Sequence, residues 1–478
     1  LDLKLLEEKS DEPSLRRQTG YVYHRLGVVY QALGQHDPAE KSFRQSLSYY
    51  GALVTEFPDR RDYKEELADV RHNLGYFFAS TSRPNDAQAA YEEALTLYRA
   101  LAKEFPNEVK FQQSLASTQG NVGALLFNAG RLPEAERAYR DLAAIHEKLA
   151  TAHPETATHR FDWSGCLNNL GLVLTISGQA DKAEQVYRQA ISLLEKLAKD
   201  APQSARYRFE LAGIYNNLGS LFLNTKRSAD AESPCREALA LQAKLAADFP
   251  KILKYQYDLA GSYHNLAAIL INLKRLPEAE QAASEALARR QRMATDHPNV
   301  ADYQNALGDT LGALANICKN QRKLADAGRH LAQAIEHHQN AVNRNPSHVP
   351  YRRSLHVEYA SYADVMIEQG EHAEAAKAAD ALPKIFSRDP QSHRQAATRL
   401  ARCVLLVEKN QALTPERRET LSRSYADQAM AQLRAAADKG FTDADSLKKD
   451  PALEPLRGRA DFTAVLRELE KNKRDAAR

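Results

Sequence analysis

The feature that most constrains how this sequence can fold is a repeat with a period of about 48 residues. Glycines and alanines mark the repeat. Small residues recur at this interval at Gly27, Gly75, Gly123, Gly171, Gly219, Ala267, Ala315 and Ala363. A second series consists of Ala39, Ala87, Ala135, Ala183, Ala231, Ala279, Ala327 and Ala375. Prolines follow in the same register at Pro58, Pro106, Pro154, Pro202, Pro250, Pro298 and Pro346. Three series in one register indicate eight consecutive copies of one structural unit.

Each copy contains two amphipathic segments joined by a short polar connector. In residues 211–250, apolar side chains recur at helical spacing on both sides of the connector, and only Gln242 is polar among the second set. Two such helices form a hairpin that cannot bury its apolar face alone, so neighbouring copies must stack. The repeat predicts an all-α fold of stacked antiparallel helix pairs, with the proline ending each second helix. Pro234 is expected to kink or delay the helix that contains it.

The first copy carries a recognisable signature. It reads Tyr23-x-x-Leu26-Gly27-x-x-Tyr30, followed by Ala39-x-x-x-Phe43. This resembles the tetratricopeptide repeat, although that repeat is only about 34 residues long. The extra length falls at the end of the second helix and before the glycine, so it lengthens both helices. The resemblance implies a right-handed α-solenoid with long helices, whose first helices line a concave surface that binds partner proteins or extended peptides.

The register also predicts the domain organisation. Residues 10–390 are expected to form eight helix pairs, residues 391–440 a degenerate helical pair, and residues 441–478 a C-terminal capping segment. Residues 1–9 match the late part of a second helix when shifted by one period, so we expect them to be the tail of a preceding, truncated helix. The alternative for this segment is an irregular N-terminal cap.

Charge and cysteine content exclude several classes of partner. The chain has 65 Lys and Arg against 62 Asp and Glu, a net charge of +3 with the signs interspersed. This balance argues against a dedicated nucleic-acid or anionic-membrane binder. No run of 18 apolar residues occurs, so no membrane span is predicted. The four cysteines are scattered without a C-x-x-C pair, which favours a reducing compartment and a cytoplasmic location.

Motifs of catalysis and cofactor binding are absent from the sequence. It has no G-x-G-x-x-G, no phosphate-binding P-loop, no H-E-x-x-H and no G-x-S-x-G. It also lacks the H-R-D and D-F-G motifs of protein kinases. The 15 histidines show no metal-ligand spacing. The prediction is a chain with no catalytic residues, no cofactor and no metal site.

An asparagine row is the strongest candidate for a binding site. Its members recur with the same period in the middle of the first helices, at Asn73, Asn121, Asn169, Asn217 and Asn265. Asparagine is a mediocre helix former, so its recurrence there calls for a reason. An amide offers both a donor and an acceptor, and a row of amides could hold the backbone of an extended peptide. The alternative is that each amide bonds a neighbouring helix and keeps the stack in register.

The preceding position is expected to face the same groove. It is occupied by His72, Asn168, Asn216 and His264, and by Gly120, which would leave a shallow spot. Tetratricopeptide co-chaperones that hold a terminal carboxylate use lysines at this position and three residues earlier. Neither series contains a lysine in these five copies, so a carboxylate clamp is not expected.

An aromatic row begins most first helices, five residues after the proline. It comprises Tyr63, Phe111, Tyr207, Tyr255, Tyr303 and Tyr351, with His159 in the remaining place. Base stacking and interhelical packing are both possible roles for such a row. The near-neutral charge favours packing.

The C-terminal tail suggests a second function. Residues 446–462, SLKKDPALEPLRGRADF, resemble a segment that follows the kinase domain in planctomycete-type bacterial serine/threonine protein kinases. The resemblance implies that the array could recruit substrates for, or regulate, a catalytic domain encoded upstream.

Overall fold

A computed structural model describes residues 12–476, with side chains described as far as residue 471. This range consists of helices and turns and contains no strand, which confirms the all-α prediction. The chain divides into two compact units, the first ending at Arg227 and the second beginning at Ser228. The predicted helix tail at residues 1–9 lies outside the described residues.

The first unit consists of helix pairs in which each helix packs against the next along the chain. The first helix of each repeat is α1 (Pro13–Ala32), α3 (Arg61–Ser80), α5 (Val109–Asn128), α7 (Ala157–Ile176) or α9 (Ala205–Asn224). The second helices are α2 (His36–Glu56), α4 (Pro84–Glu104), α6 (Leu132–Ala152) and α8 (Ala180–Asp200). Short turns make successive helices antiparallel. First helices of adjacent repeats also contact each other, as α1 and α3 do.

The second unit continues the same pattern. Its first helices are α11 (Leu253–Asn272), α13 (Ala301–Asn320) and α15 (Val349–Gln369). Its second helices are α10 (Ser228–Asp248), α12 (Leu276–Asp296), α14 (Leu324–Arg344) and α16 (His372–Ile385). Corresponding helices begin one period apart, and α10 keeps this phase, so Pro234 does not delay its helix.

The chain ends in α17 (Pro390–Lys409), α18 (Pro415–Asp438), α19 (Ala444–Lys449), a 3-10 helix (Pro451–Leu456) and α20 (Ala460–Ala476). Gly440 caps α18 with a positive φ of 93°. The segment after it buries Leu453, Leu456 and Phe462 in one apolar cluster with α17 and α18. The division into an array, a degenerate pair and a cap stays a prediction.

The small-residue series is explained by close approach between the helices of a pair. A Cβ built on Gly75 would lie 2.6 Å from Cδ1 of Tyr91, on the second helix of the same pair. Gly27, Gly123 and Gly171 meet Phe43, Tyr139 and Tyr187 in the same way. Where the residue corresponding to Tyr91 has no ring, alanine takes the glycine position in three of four repeats, as Ala267 with Ala283, Ala315 with Leu331 and Ala363 with Ala379, while Gly219 is kept with Cys235. A backbone lying on a ring therefore requires glycine in these pairs.

Hydrogen bonds near the turns link neighbouring repeats. Arg83, just before α4, donates to Glu40 of the preceding second helix at 2.6 Å. The same link recurs in Arg131–Gln88, Gln179–Glu136, Arg227–Glu184 and Arg275–Glu232. Individually such surface contacts contribute little, but their repetition favours one register of stacking.

Each turn from a first helix to its second helix, from α1–α2 through α15–α16, contains a residue in the left-handed conformation. The positions are Gly34, Ser82, Gly130, Gly178, Lys226, Lys274, Arg322 and Gly370, again one period apart, with φ between 60° and 86°. The backbone N–H of the next residue bonds a carbonyl of the last helical turn, as Arg275 bonds Leu270 at 2.9 Å. This is the Schellman arrangement, in which glycine is the preferred residue.

Lys274→Gly is accordingly expected to stabilise the protein. A non-glycine residue in this conformation costs about 1–2 kcal/mol, and the greater freedom of glycine in the unfolded chain offsets part of that gain. We expect the free energy of unfolding to rise by about 0.5–1 kcal/mol in denaturant titration. Gly130→Ala, at an equivalent turn, is the matched control and should destabilise the protein. A stability that falls in Lys274→Gly would contradict this account of the turns.

Candidate peptide-binding site

The predicted asparagine row lies at one repeat position on α3, α5, α7, α9 and α11. Asn169 is exposed, and Asn73, Asn121, Asn217 and Asn265 are partly buried. The residues at the preceding position, His72, Asn168, Asn216 and His264, are also partly buried. These side chains therefore lie at the boundary between the core and the surface of the first helices.

Two asparagines of the row bond the preceding repeat. Asn73 Nδ2 donates to His24 Nε2 at 2.6 Å, and Asn217 Nδ2 donates to Asn168 Oδ1 at 2.8 Å. In both cases the acceptor belongs to the neighbouring repeat, at the position just before the row. At these two places the amide links adjacent first helices, as the structural alternative expects.

The other three amides are not used in this way. Within residues 12–476, no hydrogen bond is formed by the side chains of Asn121, Asn169 or Asn265. The corresponding residue of the repeat before Asn169 is Gly120, which has no side chain to offer. For Asn121 that residue is His72, whose Nδ1 lies 2.8 Å from Thr118 Oγ1 instead. Whether the row binds a peptide stays a prediction.

A cavity of about 510 Å³ opens beside this part of the row in the first unit. Residues of α5 and α7 make up most of its lining, including Ser117, Gly120, Gly165 and Asn169. The missing side chains at Gly120 and Gly165 leave the space that the cavity occupies. The depression expected at Gly120 is therefore present, and Asn169 faces into it.

A second cavity, of about 480 Å³, lies in the second unit. It is lined mainly by α11, α13 and α15, and we call it the acidic cavity because it contains Asp309 and Glu358. Burial raises the pKa of Asp309 to about 6, although Arg290 opposes the rise. Burial and the charge of Asp309 raise the pKa of Glu358 to about 7. His264, from the predicted site, lines the same cavity.

Burial disfavours the charged form of three histidines on the first helices, His24, His72 and His264. Burial lowers the pKa of His264 to about 3 and that of His24 to about 4. Burial also lowers the pKa of His72. Neutral imidazoles act as hydrogen-bond donors and acceptors rather than as cations, which agrees with His24 accepting from Asn73.

The members of the aromatic row are buried or half-buried and pack against other rings of the protein. Several members lie against the residue that precedes the proline, as Phe111 does against Phe105 with ring centroids 6.0 Å apart. Phe57 with Tyr63 and Phe249 with Tyr255 repeat this contact. In these repeats the contact joins the start of the first helix to the end of the preceding second helix.

No group of three His, Cys, Asp or Glu side chains suited to a metal occurs in the part of the chain that is described. All four cysteines are free and buried, and burial raises the pKa of Cys166, Cys235 and Cys403 to about 12. Thiols of this kind are poor nucleophiles. Over the same described range, none of the helices has the length and apolarity needed to cross a bilayer.

Sequence reasoning missed Glu358, although a signal was available. Its repeat position is filled elsewhere by small or apolar buried residues, namely Val70, Thr118, Cys166, Ile214, Ser262 and Thr310. A carboxylate in such a series is the exception. Glu358 is also one of the two carboxylates, with Asp309, that make the acidic cavity acidic.

Comparison with known proteins decides the family. Models of the tetratricopeptide repeat match residues 21–52, 67–106, 114–196, 211–250 and 258–317, which together make up a little over half of the chain. The chain is a tetratricopeptide-repeat protein. Proteins of this family generally act as scaffolds for protein–protein interactions, and the fold is typically non-catalytic. No curated protein matches the sequence.

Several solved structures resemble this tetratricopeptide-repeat protein at low identity. BtubC (BKLC) from P. vanneervenii is 20% identical, with 54% of this chain and 91% of that chain covered and a TM-score of 0.42. A tetratricopeptide repeat protein from Parabacteroides merdae is 15% identical, with 71% of this chain and 99% of that chain covered and a TM-score of 0.38. A signal transduction ATPase with a tetratricopeptide repeat sensor from Pyrococcus horikoshii is 11% identical, with 84% of this chain and 54% of that chain covered and a TM-score of 0.47.

Proposed function

We propose that this protein is a non-catalytic scaffold that binds partner proteins, through extended segments of them, along the concave face of its first helices. Support comes from the two cavities, because both are lined mainly by first helices and each includes a residue of the predicted site, Asn169 or His264. The cytoplasm is the proposed location, in keeping with four free thiols.

The amides without an internal partner are the proposed contacts in the first unit. Asn121 and Asn169 lie in adjacent repeats, and Asn169 is exposed beside the cavity at Gly120. An extended peptide has a donor and an acceptor in every residue, which an amide can satisfy without regard to the peptide's side chains. Asn73 and Asn217 are proposed to hold the repeats in register, since they already bond neighbouring helices.

A peptide-library screen with two asparagine variants tests this function. Peptides selected on the wild type should bind Asn121→Ala/Asn169→Ala about 5- to 150-fold more weakly, because two hydrogen bonds of about 0.5–1.5 kcal/mol each are lost. The melting temperature of this double variant should stay within a few degrees of wild type. Asn73→Ala is the matched control, and it should lower the melting temperature because it removes the bond to His24.

Two outcomes would oppose the proposal. If no peptide binds the wild type, the scaffold function loses its support. If the double variant binds peptides as well as wild type does, these amides are not the contacts, and the row is structural throughout.

A second candidate is a region that recruits substrates for, or regulates, a bacterial serine/threonine kinase. It rests on the resemblance of residues 446–462 to segments that follow such kinase domains. The reading frame upstream of Leu1 tests it directly. A G-x-G-x-x-G motif followed by H-R-D and D-F-G would support this candidate, and an upstream region without them would remove it.

A further inference from the structure

The acidic cavity has a feature that stacking of the repeats does not require. Glu358 lies at a buried repeat position, which is filled by Ser262 and Thr310 in the two preceding repeats. Ser262 Oγ donates to Gln242 and Thr310 Oγ1 accepts from Arg290, so both hydroxyls are paired with the adjacent second helix. Among the described residues, the Glu358 carboxylate forms neither a hydrogen bond nor an ion pair. It is nevertheless only 9% exposed.

The Glu358 side chain is directed across the neighbouring first helix. Its Oε1 occupies the space where a side chain on Gly312 would lie. Gly312 corresponds in the repeat to His264 and Gly120, the position expected to face the groove. The carboxylate therefore reaches the cavity only because this position carries no side chain in α13.

Of the other polar groups of the cavity, Asp309 is held by hydrogen bonds and His264 has an unpaired ring nitrogen. Asp309 accepts hydrogen bonds from Asn305 at 3.0 Å and from Ser354 at 3.2 Å. His264 Nδ1 has no hydrogen-bond partner in the described part of the chain. Between these groups lie apolar side chains, including Ile271, Leu331, Val357 and Val365. The volume falls within the range of about 300–1,000 Å³ typical of ligand pockets.

We propose that the acidic cavity is a subsite for a lysine or arginine side chain of the bound peptide, with Glu358 and Asp309 as its carboxylate partners. The apolar lining suits the methylene stem of such a side chain, whose charged end would reach the two carboxylates. An incoming cation satisfies a buried, unpaired carboxylate, and charge-assisted bonds of this kind are the strong ones. This subsite rests on the proposed scaffold function.

Lys319 and Arg290, the cationic side chains near the cavity, are directed to partners other than Glu358. Lys319 lines it, but its Nζ lies 3.4 Å from Glu368 Oε1. Arg290 is directed to the Ala306 carbonyl and to Thr310. His338 Nε2 lies 3.7 Å from Asp309 Oδ1. Burial lowers the pKa of His338 to about 4 and the pKa of His264 to about 3. Both imidazoles are therefore neutral at pH 7.

Selection of peptides from a random 12-mer library tests the subsite. We expect the peptides that bind wild type in the second unit to share a lysine or arginine. For such a peptide, Glu358→Gln should weaken binding about 10- to 100-fold, since a bond to a charged group is lost. Replacing the basic residue of the peptide with norleucine should weaken binding equally, and the two changes together should weaken it no further. Glu336→Gln, an exposed glutamate on α14, is the control and should bind as wild type does.

A pH series gives an independent readout. The pKa of Glu358 is near 7 and that of Asp309 near 6, so both are partly protonated at pH 6 and ionised at pH 8. The basic side chain stays charged throughout, so binding should strengthen about tenfold from pH 6 to pH 8. Glu358→Gln should reduce this dependence to the smaller part due to Asp309.

The outcomes separate the subsite from the scaffold function. If peptides bind wild type without a shared basic residue, and Glu358→Gln binds them equally well, the subsite is refuted while the scaffold function stands. If no peptide binds wild type, both fail. The subsite would be established if the norleucine peptide and Glu358→Gln each weaken binding, if the two changes together weaken it no further, and if binding to wild type strengthens from pH 6 to pH 8.

Discussion

Glu358→Gln is expected to be more stable than the wild type at pH 8, by up to about 3 kcal/mol, and within about 1 kcal/mol of it at pH 5. Burial and the charge of Asp309 raise the pKa of Glu358 from its usual 4.5 to about 7, and each pKa unit corresponds to about 1.4 kcal/mol. The folded state holds this proton more tightly than the unfolded state does. The wild type is therefore most stable below the unfolded pKa and loses stability as the pH rises through 7.

Urea unfolding of both proteins at pH 5 and pH 8 measures this difference. The amide of glutamine resembles the protonated carboxyl, so the variant should lack the share of the pH dependence that comes from Glu358. Glu336→Gln, on the exposed side of α14, should change stability by less than about 0.5 kcal/mol at either pH. A Glu358→Gln variant that is less stable than wild type at pH 8 would show that the buried carboxylate has a stabilising partner.

The second large effect is expected at Gly171. A Cβ there would collide with the Tyr187 ring, so Gly171→Ala should lower the free energy of unfolding by about 1–3 kcal/mol. Gly165→Ala lies in the same helix with nothing within 4 Å of its Cβ. It should stabilise the protein by about 0.5–1 kcal/mol, because alanine is the better helix former. Thermal and denaturant unfolding of the two variants gives the comparison.

A double-mutant cycle separates the collision from other effects. In a Tyr187→Ala background, Gly171→Ala should cost nothing or should stabilise, because the pair then resembles Ala267 with Ala283. Destabilisation of the same size in both backgrounds would mean that the glycine is needed for a reason other than the ring.

The register of the fold was predictable because its causes lie in residue size. Gly75 must accommodate Tyr91, and Pro58 lies two positions after the end of α2, so sequence spacing and helix spacing coincide. The turn positions were not recognised, because Ser82, Lys226, Lys274 and Arg322 interrupt the glycine series. Their conformation is imposed by the two helices that each turn connects, rather than by the residue itself.

The candidate site was predictable only in part. The asparagine row is periodic, but the partner of each amide depends on the preceding repeat, which offers His24 to Asn73 and only Gly120 to Asn169. The same side chain is therefore structural in one repeat and unpaired in another. Glu358 was missed because its importance depends on burial and on the glycine opposite it, which belong to different repeats.

The central claim is that partner peptides bind along the first helices, and photo-cross-linking tests it most directly. A benzophenone amino acid placed at Ser117, an exposed residue of α5 beside the cavity at Gly120, should cross-link to a library-selected peptide that depends on Asn121 and Asn169. The same amino acid placed at Thr96, exposed on the second helix α4, should not. Cross-linking at Thr96 with none at Ser117 would contradict the claim and place peptide binding on the second helices.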